Sequence, residues 1–260
     1  MELSMKGRTA LITGGSTGLG KAMARRFAQS GAQVAIVARR ADVLESAREE
    51  LQAEVTPKIL AFPCDVTDPE QIKATFAKVE SDLAPVDVLV NNAGVSRAMP
   101  FEKITDEDWE EDFSLKVFGA IRLARLAFPG MKARRWGRII NILNTGAKAP
   151  RAGGAPTVVS RAAGMAITKV LAGEGAPHNV LVNALCTGII ESDQWARRHA
   201  AENKGRSYEE FLAEMGKPLA MGRVGTSEEF ANMACFLASD AGSYINGTAI
   251  NVDGGNCPVV

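Results

Sequence analysis

Short apolar runs alternate with longer amphipathic stretches along the whole chain. Most runs are continuously apolar, which is typical of strands buried on both faces of a parallel sheet. The predicted strands are residues 8–13, 34–38, 58–62, 86–90, 138–143, 180–185 and 248–252. The stretches between them are long enough for helices at residues 18–30, 41–53, 69–83, 106–133, 156–173 and 227–237.

This alternation predicts the α/β fold class. We expect a single domain over residues 1–260, with one doubly wound parallel sheet of about seven strands and helices on both faces. Residues 190–222 break the pattern, because they are polar and charged and include Trp195 and Tyr208. A long insertion after the carboxyl end of a strand predicts a lid over a substrate crevice.

Composition removes several classes of protein. Hydrophobic residues make up 46% and charged residues 23%, which is typical of a globular chain and not of a disordered one. Lys+Arg and Asp+Glu both number 30, for a formal net charge of +0. A neutral chain is not suited to phosphate-backbone binding, so we expect no nucleic-acid partner.

The cysteines and histidines indicate no metal site. The four cysteines are widely spaced without a C-x-x-C pair, and there are two histidines. This usage is typical of free thiols in a reducing compartment. Residues 1–6 lack the apolar segment of a secretion signal, and no apolar run is long enough to span a membrane. We therefore expect a cytoplasmic protein without membrane contact.

The first predicted strand leads into the first helix through the glycine-rich sequence TGGSTGLG at residues 13–20. Glycines at this place permit a tight turn and let the backbone approach a pyrophosphate held at the helix N-terminus. A tight turn without any ligand is the alternative. The predicted dinucleotide contacts are Gly14, Ser16, Thr17, Gly18, Leu19 and Gly20.

The end of the second strand indicates which dinucleotide is bound. An acidic residue about 20 positions past the glycines would take the ribose 2′-hydroxyl, but this chain has Arg39 and Arg40 there. Arginine grips a 2′-phosphate through charge-assisted hydrogen bonds. The alternative is that both are solvated charges at the start of a helix. We expect NADP(H) to be favoured over NAD(H).

These and later segments resemble the short-chain dehydrogenase/reductase family, and the similarity covers nearly the whole chain. The matching segments are TGGSTGLG at 13–20, CDV at 64–66, NNAG at 91–94, VNA at 182–184, GRVG at 222–225, FLASD at 236–240, SYING at 243–247 and VDGG at 252–255. The resemblance implies a Rossmann-like sheet, a nicotinamide dinucleotide and a small-molecule substrate. It also implies a tetramer paired through residues 227–252.

The resemblance places further residues near the cofactor. Asp65 and Val66 would line the adenine end. The groups expected nearer the nicotinamide are Asn91, Ala93, Gly94, Arg161, Thr187, Gly188, Ile190 and Ser192.

The chain departs from the family at the catalytic positions. The family usually carries Asn, Ser, Tyr and Lys, and the alignment places Lys116, Asn144, Thr157 and Arg161 there. A threonine hydroxyl is no acid near neutral pH, because its pKa lies far above that of a phenol, about 10. Arg161 is suited to binding ribose hydroxyls or an oxyanion.

Lys116 is the candidate proton donor. If it points inward, repulsion by Arg161 lowers its pKa, whereas on the surface it would be an ordinary solvated lysine. Two adjacent cations would favour an anionic substrate. Tyr208 and His199 in the insertion are further candidates, with packing as their alternative role.

Three functions fit these observations. The first is an NADP(H)-dependent oxidoreductase for a carbonyl or alcohol substrate, with Lys116, Asn144, Thr157 and Arg161 as an atypical catalytic set. The second is a dinucleotide-binding protein without redox activity, and the third is a lyase or isomerase acting on an anion. We prefer the first, because the residues that place a nicotinamide are all retained.

The last predicted helix suggests assembly. Its apolar residues would hardly be left exposed in a monomer, so we expect a homotetramer or homodimer. They are Phe230, Ala234, Cys235, Phe236 and Leu237.

Overall fold

The structure is a computed structural model that describes residues 3–202 and 205–260. The strands in these ranges are β1 (Thr9–Thr13), β2 (Gln33–Ala38), β3 (Ile59–Pro63), β4 (Val88–Asn91), β5 (Gly137–Asn144), β6 (Val180–Thr187) and β7 (Ala249–Val252). All seven join one parallel sheet in the order β3-β2-β1-β4-β5-β6-β7. The predicted Rossmann-like fold is confirmed.

Outside the insertion, the helices lie where the amphipathic stretches predicted them. The helices are α1 (Gly18–Gln29), α2 (Ala41–Glu54), α3 (Pro69–Asp82), α4 (Asp106–Phe113), α5 (Gly119–Arg134), α6 (Thr157–Gly175), α7 (Asp193–Glu202), α8 (Tyr208–Gly216) and α9 (Ser227–Ala238). The described residues of the insertion contain two helices, α7 and α8, that were not predicted. The predicted helix over 106–133 is confirmed as one continuous helical segment, in which a π-type turn at Ser114–Phe118 joins α4 to α5. In the described part of the chain, no helix has the length and apolar character that crossing a membrane requires.

The core forms one layer on each face of the sheet. In β1, Ala10 and Ile12 pack into one layer, whereas Leu11 packs into the other. The first layer contains buried residues of α1, α2 and α9, and the second contains buried residues of α3, α5 and α6. Burial on both faces explains why the strands are continuously apolar in sequence.

The sheet has a switch point between β1 and β4. The chain leaves β1 toward β2 on one side and returns to β4 on the other. Ligands of such sheets bind at the carboxyl ends of the strands beside this point. Asn92 joins the loop after β4 to the loop after β1. Its Nδ2 donates to the Thr13 carbonyl at 2.9 Å and to the Gly14 carbonyl at 3.2 Å.

The argument for assembly from α9 is wrong. Phe230, Ala234, Cys235 and Leu237 are buried in the protein's own core, where α9 packs against α1. Phe236 is only partly buried and packs against the same core. The apolar content of α9 therefore requires no second chain, and the homotetramer or homodimer stays a prediction without this support.

Candidate active site

The glycine loop after β1 forms a cradle that side chains would fill. Gly14 and Gly18 have φ of +65° and +51°, which only glycine adopts without strain. A Cβ on Gly20 would lie 2.1 Å from the Gly14 carbonyl oxygen. The Thr17 side chain makes no hydrogen bond to the start of α1, so backbone N–H groups there are left for an anion. The loop fits the pyrophosphate of a dinucleotide.

Arg39 lies at the carboxyl end of β2, where the adenosine ribose of a bound dinucleotide would lie. Its side chain is 65% exposed, and its Nη1 is 4.0 Å from the Asp65 carboxylate. Asp65 Oδ1 accepts two hydrogen bonds from Thr67, which fixes the loop after β3. Arg40 is also exposed and precedes α2. Both guanidinium groups are therefore accessible to a 2′-phosphate.

A cleft opens at the carboxyl ends of the central strands. It brings together many of the sequence-predicted residues, namely Gly14, Ser16, Thr17, Gly18, Leu19, Gly94, Asn144, Thr157, Arg161, Thr187 and Ser192. The same cleft therefore contains the glycine loop and three of the four residues that the resemblance places at catalytic positions.

Other predicted residues lie outside this lining. Lys116, Val66, Asn91 and Ala93 line a narrow internal cavity that shares Arg161 with the cleft. Gly188 packs tightly against Asp253, since a Cβ on it would lie 2.5 Å from that of Asp253. Ile190 is buried and pairs with Gly225 at the base of the insertion. The cofactor contacts expected of Val66, Asn91, Ala93, Gly188 and Ile190 therefore stay predictions.

Lys116 points inward from the π-type turn. Its side chain is 1% exposed and forms an ion pair with Asp112, one helical turn earlier, whose side chain is equally buried. Lys116 Nζ also donates to the Thr157 hydroxyl at 3.0 Å. The alternative of a surface lysine is wrong, because burial and these two partners hold the ammonium inside.

The Thr157 hydroxyl uses its full hydrogen-bonding capacity, which is one donor and two acceptor sites. It accepts from Lys116 Nζ and from the Arg97 backbone N–H at 2.8 Å, and it donates to the Arg97 carbonyl at 2.7 Å. The side chain of Arg97 pairs with Asp108 and Glu111 of α4. Thr157 thus fastens the loop after β4 to α6 and to the buried lysine.

Arg161 and Asn144 present polar groups without a complete set of partners. Arg161 Nη1 donates to the Ile142 carbonyl, and its Nη2 lies 2.6 Å from the place where a Cβ of Gly94 would be. Glycine at position 94 is what gives the guanidinium its room. Within residues 3–202 and 205–260, Arg161 Nε and Asn144 Oδ1 have no hydrogen-bond partner. Both residues border the cleft and suit an oxygen-bearing ligand.

Burial governs the electrostatics of the two cations. It is the main cause that lowers the pKa of Lys116 to about 8; the charges of Arg161 and Arg97 lower it further, and Asp112 opposes them. Burial also lowers the pKa of Arg161 to about 10, against the charge of Asp112. Repulsion is therefore a lesser cause of the Lys116 shift than the sequence suggested. The anion near both cations is Asp112, so the reason to expect an anionic substrate is lost.

Aromatic residues of the insertion pack against one another. The ring of His199 lies 5.6 Å from that of Tyr208 and 5.5 Å from that of Phe211. His199 Nε2 is 2.8 Å from the Arg206 carbonyl oxygen. Burial raises the pKa of Tyr208. These contacts hold α7 against α8, which corresponds to the packing role.

Sequence reasoning missed three residues of this site: Asp112, Arg97 and Asn92. Asp112 could have been found, because an acid four residues before a lysine on a helix is a recognised pair. Arg97 acts through its backbone and leaves no signal in its side-chain type. Asn92 belongs to the NNAG segment, but its hydrogen bonds to the glycine loop appear only in the structure.

Comparison with known proteins decides the family. The family model described as enoyl-(acyl carrier protein) reductase matches residues 14–256. The chain belongs to the short-chain dehydrogenase/reductase family. Among members of this family, it is 32% identical to 3-oxoacyl-(acyl-carrier-protein) reductase of Aquifex aeolicus, over 98% of this chain and 99% of the relative. It is 33% identical to gluconate 5-dehydrogenase of Gluconobacter oxydans, over 97% of this chain and 95% of the relative.

Solved structures of the family superpose over the whole chain. L-sorbose reductase from Gluconobacter frateurii, in complex with NADPH and L-sorbose, has a TM-score of 0.94 at 33% identity and full coverage of both chains. An NADPH-bound short-chain oxidoreductase from Pseudomonas aeruginosa, described as containing an atypical catalytic center, has a TM-score of 0.92 at 32% identity, with 99% of each chain covered.

Proposed function

We propose that the protein is an NADP(H)-dependent oxidoreductase that interconverts a carbonyl group and an alcohol in a small polar substrate. The observation that carries the proposal is that the glycine loop lines the same cleft as Asn144 and Arg161. A dinucleotide held by its pyrophosphate on this cradle would extend toward those two residues. The NADPH complexes of the sorbose reductase and of the Pseudomonas aeruginosa oxidoreductase support the cofactor.

The glycine loop and the start of α1 would hold the pyrophosphate, and Arg39 with Arg40 the 2′-phosphate. The bound nicotinamide supplies or accepts the hydride. As a carbonyl is reduced, its oxygen gains negative charge. We infer that the Arg161 guanidinium and the Asn144 Nδ2 amino group donate to this oxygen, because both side chains line the cleft and burial strengthens electrostatic interactions there.

The proton for this oxygen comes from Lys116 through Thr157. The hydroxyl of Thr157 gives its proton to the substrate oxygen as it takes one from Lys116 Nζ, 3.0 Å away. For this its hydrogen turns from the Arg97 carbonyl toward the cleft. Thr157 ends neutral, Lys116 ends as a free amine, and the alcohol is formed. Because the two transfers are coupled, the high pKa of a threonine hydroxyl is no obstacle, whereas a pKa of about 8 suits Lys116 to the role of acid.

Replacement of Arg39 tests the cofactor. The Arg39→Asp variant should bind NADPH more weakly by about 1–3 kcal/mol, or about 5–150-fold, and should reverse the preference toward NADH. The reason is the loss of a charge-assisted phosphate contact and the gain of a repelling carboxylate. Fluorescence titration of both cofactors measures this.

The matched control is Lys78→Asp, which makes the same change of charge at an exposed position of α3. It should leave both affinities within about twofold, because exposed distant charges are screened. Unaltered protein that binds NADH as tightly as NADPH would contradict the proposed cofactor.

The substrate wall of the cleft is polar. The insertion contributes Asp193, Gln194 and Arg197, and the loop after β4 contributes Ser96. Such groups pair with hydroxyl groups, whereas they would lose hydration without compensation against an alkyl chain. The relatives that reduce L-sorbose or oxidise gluconate support a hydroxylated carbonyl substrate.

A substrate panel tests the reaction. NADPH consumption should be faster with L-sorbose and dihydroxyacetone than with an acetoacetyl thioester, by about tenfold or more in kcat/KM, since one buried unpaired polar group costs about 1–3 kcal/mol. Absorbance at the NADPH band follows the rate. If no carbonyl compound in the panel oxidises NADPH, and no alcohol reduces NADP⁺, the proposed function fails.

A further inference from the structure

Asp112 is a buried carboxylate in the last turn of α4 that the reaction, as described so far, does not use. Its side chain is 1% exposed. One oxygen, Oδ1, pairs with Lys116, and the other, Oδ2, accepts from the Ser160 hydroxyl at 2.6 Å. A buried charge without partners is costly, so this carboxylate is held by its surroundings in one orientation.

The geometry connects Asp112 to the Thr157 hydroxyl. Lys116 Nζ donates to both Asp112 and Thr157, so the carboxylate fixes the direction in which the ammonium points. Ser160 lies one turn after Thr157 on α6. Asp112 on α4 therefore fixes the position of Lys116. Ser160, on the same helix as Thr157, fixes the position of Asp112.

The charged groups that act on Lys116 in the described part of the chain are Asp112 from α4, Arg161 from α6 and Arg97 from the loop after β4. The two arginines disfavour the ammonium form, and so does burial. Asp112 favours it. An opposite charge in direct hydrogen-bonding contact, as Asp112 is with Lys116, raises the pKa of a lysine by about 1–3 units.

We propose that Asp112 is a positioning residue of the reaction: it keeps Lys116 protonated at neutral pH and holds its ammonium against the Thr157 hydroxyl. The inference rests on the proposed function. Without Asp112, a smaller fraction of Lys116 would be protonated at neutral pH, so less of the protein would hold the proton that carbonyl reduction needs.

The test is the titration of Lys116 in the cofactor-free protein. Carbon-13 NMR of the lysine side chains, with the Lys116 signal identified by its absence in Lys116→Met, should give a midpoint near pH 8 in the unaltered protein. In Asp112→Asn, which keeps the shape but removes the charge, the midpoint should fall by about 1–3 pH units. A shift of less than half a unit overturns the inference.

Kinetics supply a second measurement. The pH above which the rate of reduction declines should fall by the same amount in Asp112→Asn, while the dissociation constant of NADPH stays within about twofold. Glu110→Gln is the matched control, because it removes one carboxylate from the exposed face of the same helix. Its pH profile and kcat should equal those of the unaltered protein. A parallel shift in the control would overturn the inference.

Asp112→Glu covers the case in which Asp112→Asn does not fold. It keeps the charge but displaces it by one methylene, so the Lys116 midpoint should stay near 8 while kcat falls about tenfold or more, because misplacement of reacting groups is costly. An unchanged kcat overturns the positioning role. If the unaltered protein consumes no NADPH with any substrate, the proposed function fails, whereas the NMR midpoint still decides whether Asp112 controls Lys116.

Discussion

The Lys116→Met variant should reduce carbonyl substrates about 10²–10⁴-fold more slowly than the unaltered protein, which is the usual contribution of a general acid. Methionine has a similar length and fills the same space, but it has no proton to give to Thr157. The dissociation constant of NADPH should stay within about twofold, because Lys116 lies outside the lining of the cleft. Steady-state kinetics and fluorescence titration measure the two quantities.

The variant also leaves Asp112 without its charged partner. Removing one member of a buried ion pair costs about 3–5 kcal/mol of folding free energy, so the variant should be assayed well below its melting temperature. Lys73→Met is the matched control, because Lys73 is 62% exposed on α3. It should retain full activity. Full activity in Lys116→Met would show that the proton comes from elsewhere.

The coupled transfer gives this prediction a second arm. Thr157→Val keeps the shape of the side chain but removes the hydroxyl, so it should lower kcat to a similar extent. Residues that act as a unit are non-additive, and the double variant Lys116→Met/Thr157→Val should be scarcely slower than either single variant. Losses that multiply in the double variant would contradict the relay.

The Arg161→Met variant should lose about 10²–10³-fold in kcat/KM, the usual cost of removing a donor to a developing oxyanion. It should also move the alkaline decline of reduction to a higher pH. The charge of Arg161 lowers the pKa of Lys116, so its removal allows the ammonium to persist. The direction is opposite to that expected for Asp112→Asn. A full pH–rate profile of each variant measures both effects.

Arg48→Met serves as the control, because Arg48 lies on α2 and pairs there with Glu45. Its kinetics and pH profile should match those of the unaltered protein. A loss of less than about threefold in Arg161→Met would contradict the oxyanion role, since even one donor is worth far more. A decline that moves to lower pH would contradict the electrostatic coupling of the two cations.

The fold was predictable because parallel strands buried on both faces are continuously apolar. Every predicted strand lies within about two residues of its counterpart in the structure. The π-type turn that joins α4 to α5 was not predictable, because one such turn barely disturbs the hydrophobic periodicity. The role of α9 was misjudged, because the apolar content of a helix does not show whether its own chain or a second chain covers it. The core of the same chain covers the apolar residues of α9.

The site was predictable in outline for a different reason. The order of the glycine loop, the NNAG segment and Arg161 along the chain determines their place in a doubly wound sheet. The balance of positive and negative charge around Lys116 was not predictable. Two cations suggested an anionic substrate, whereas the structure supplies Asp112 from the preceding turn. The cost of burying a charge depends on which neighbours share the space, and that is known only after folding.

The pH dependence of the unaltered protein in both directions tests most directly the claim that Lys116 is the acid. Reduction requires the protonated lysine, so its kcat/KM should be constant well below pH 8 and fall about tenfold per unit well above it. Oxidation requires the neutral lysine and should rise with pH to a plateau above 8. Both midpoints should be absent in Lys116→Met. Rates that do not change through pH 8, or midpoints that persist in the variant, would contradict the account.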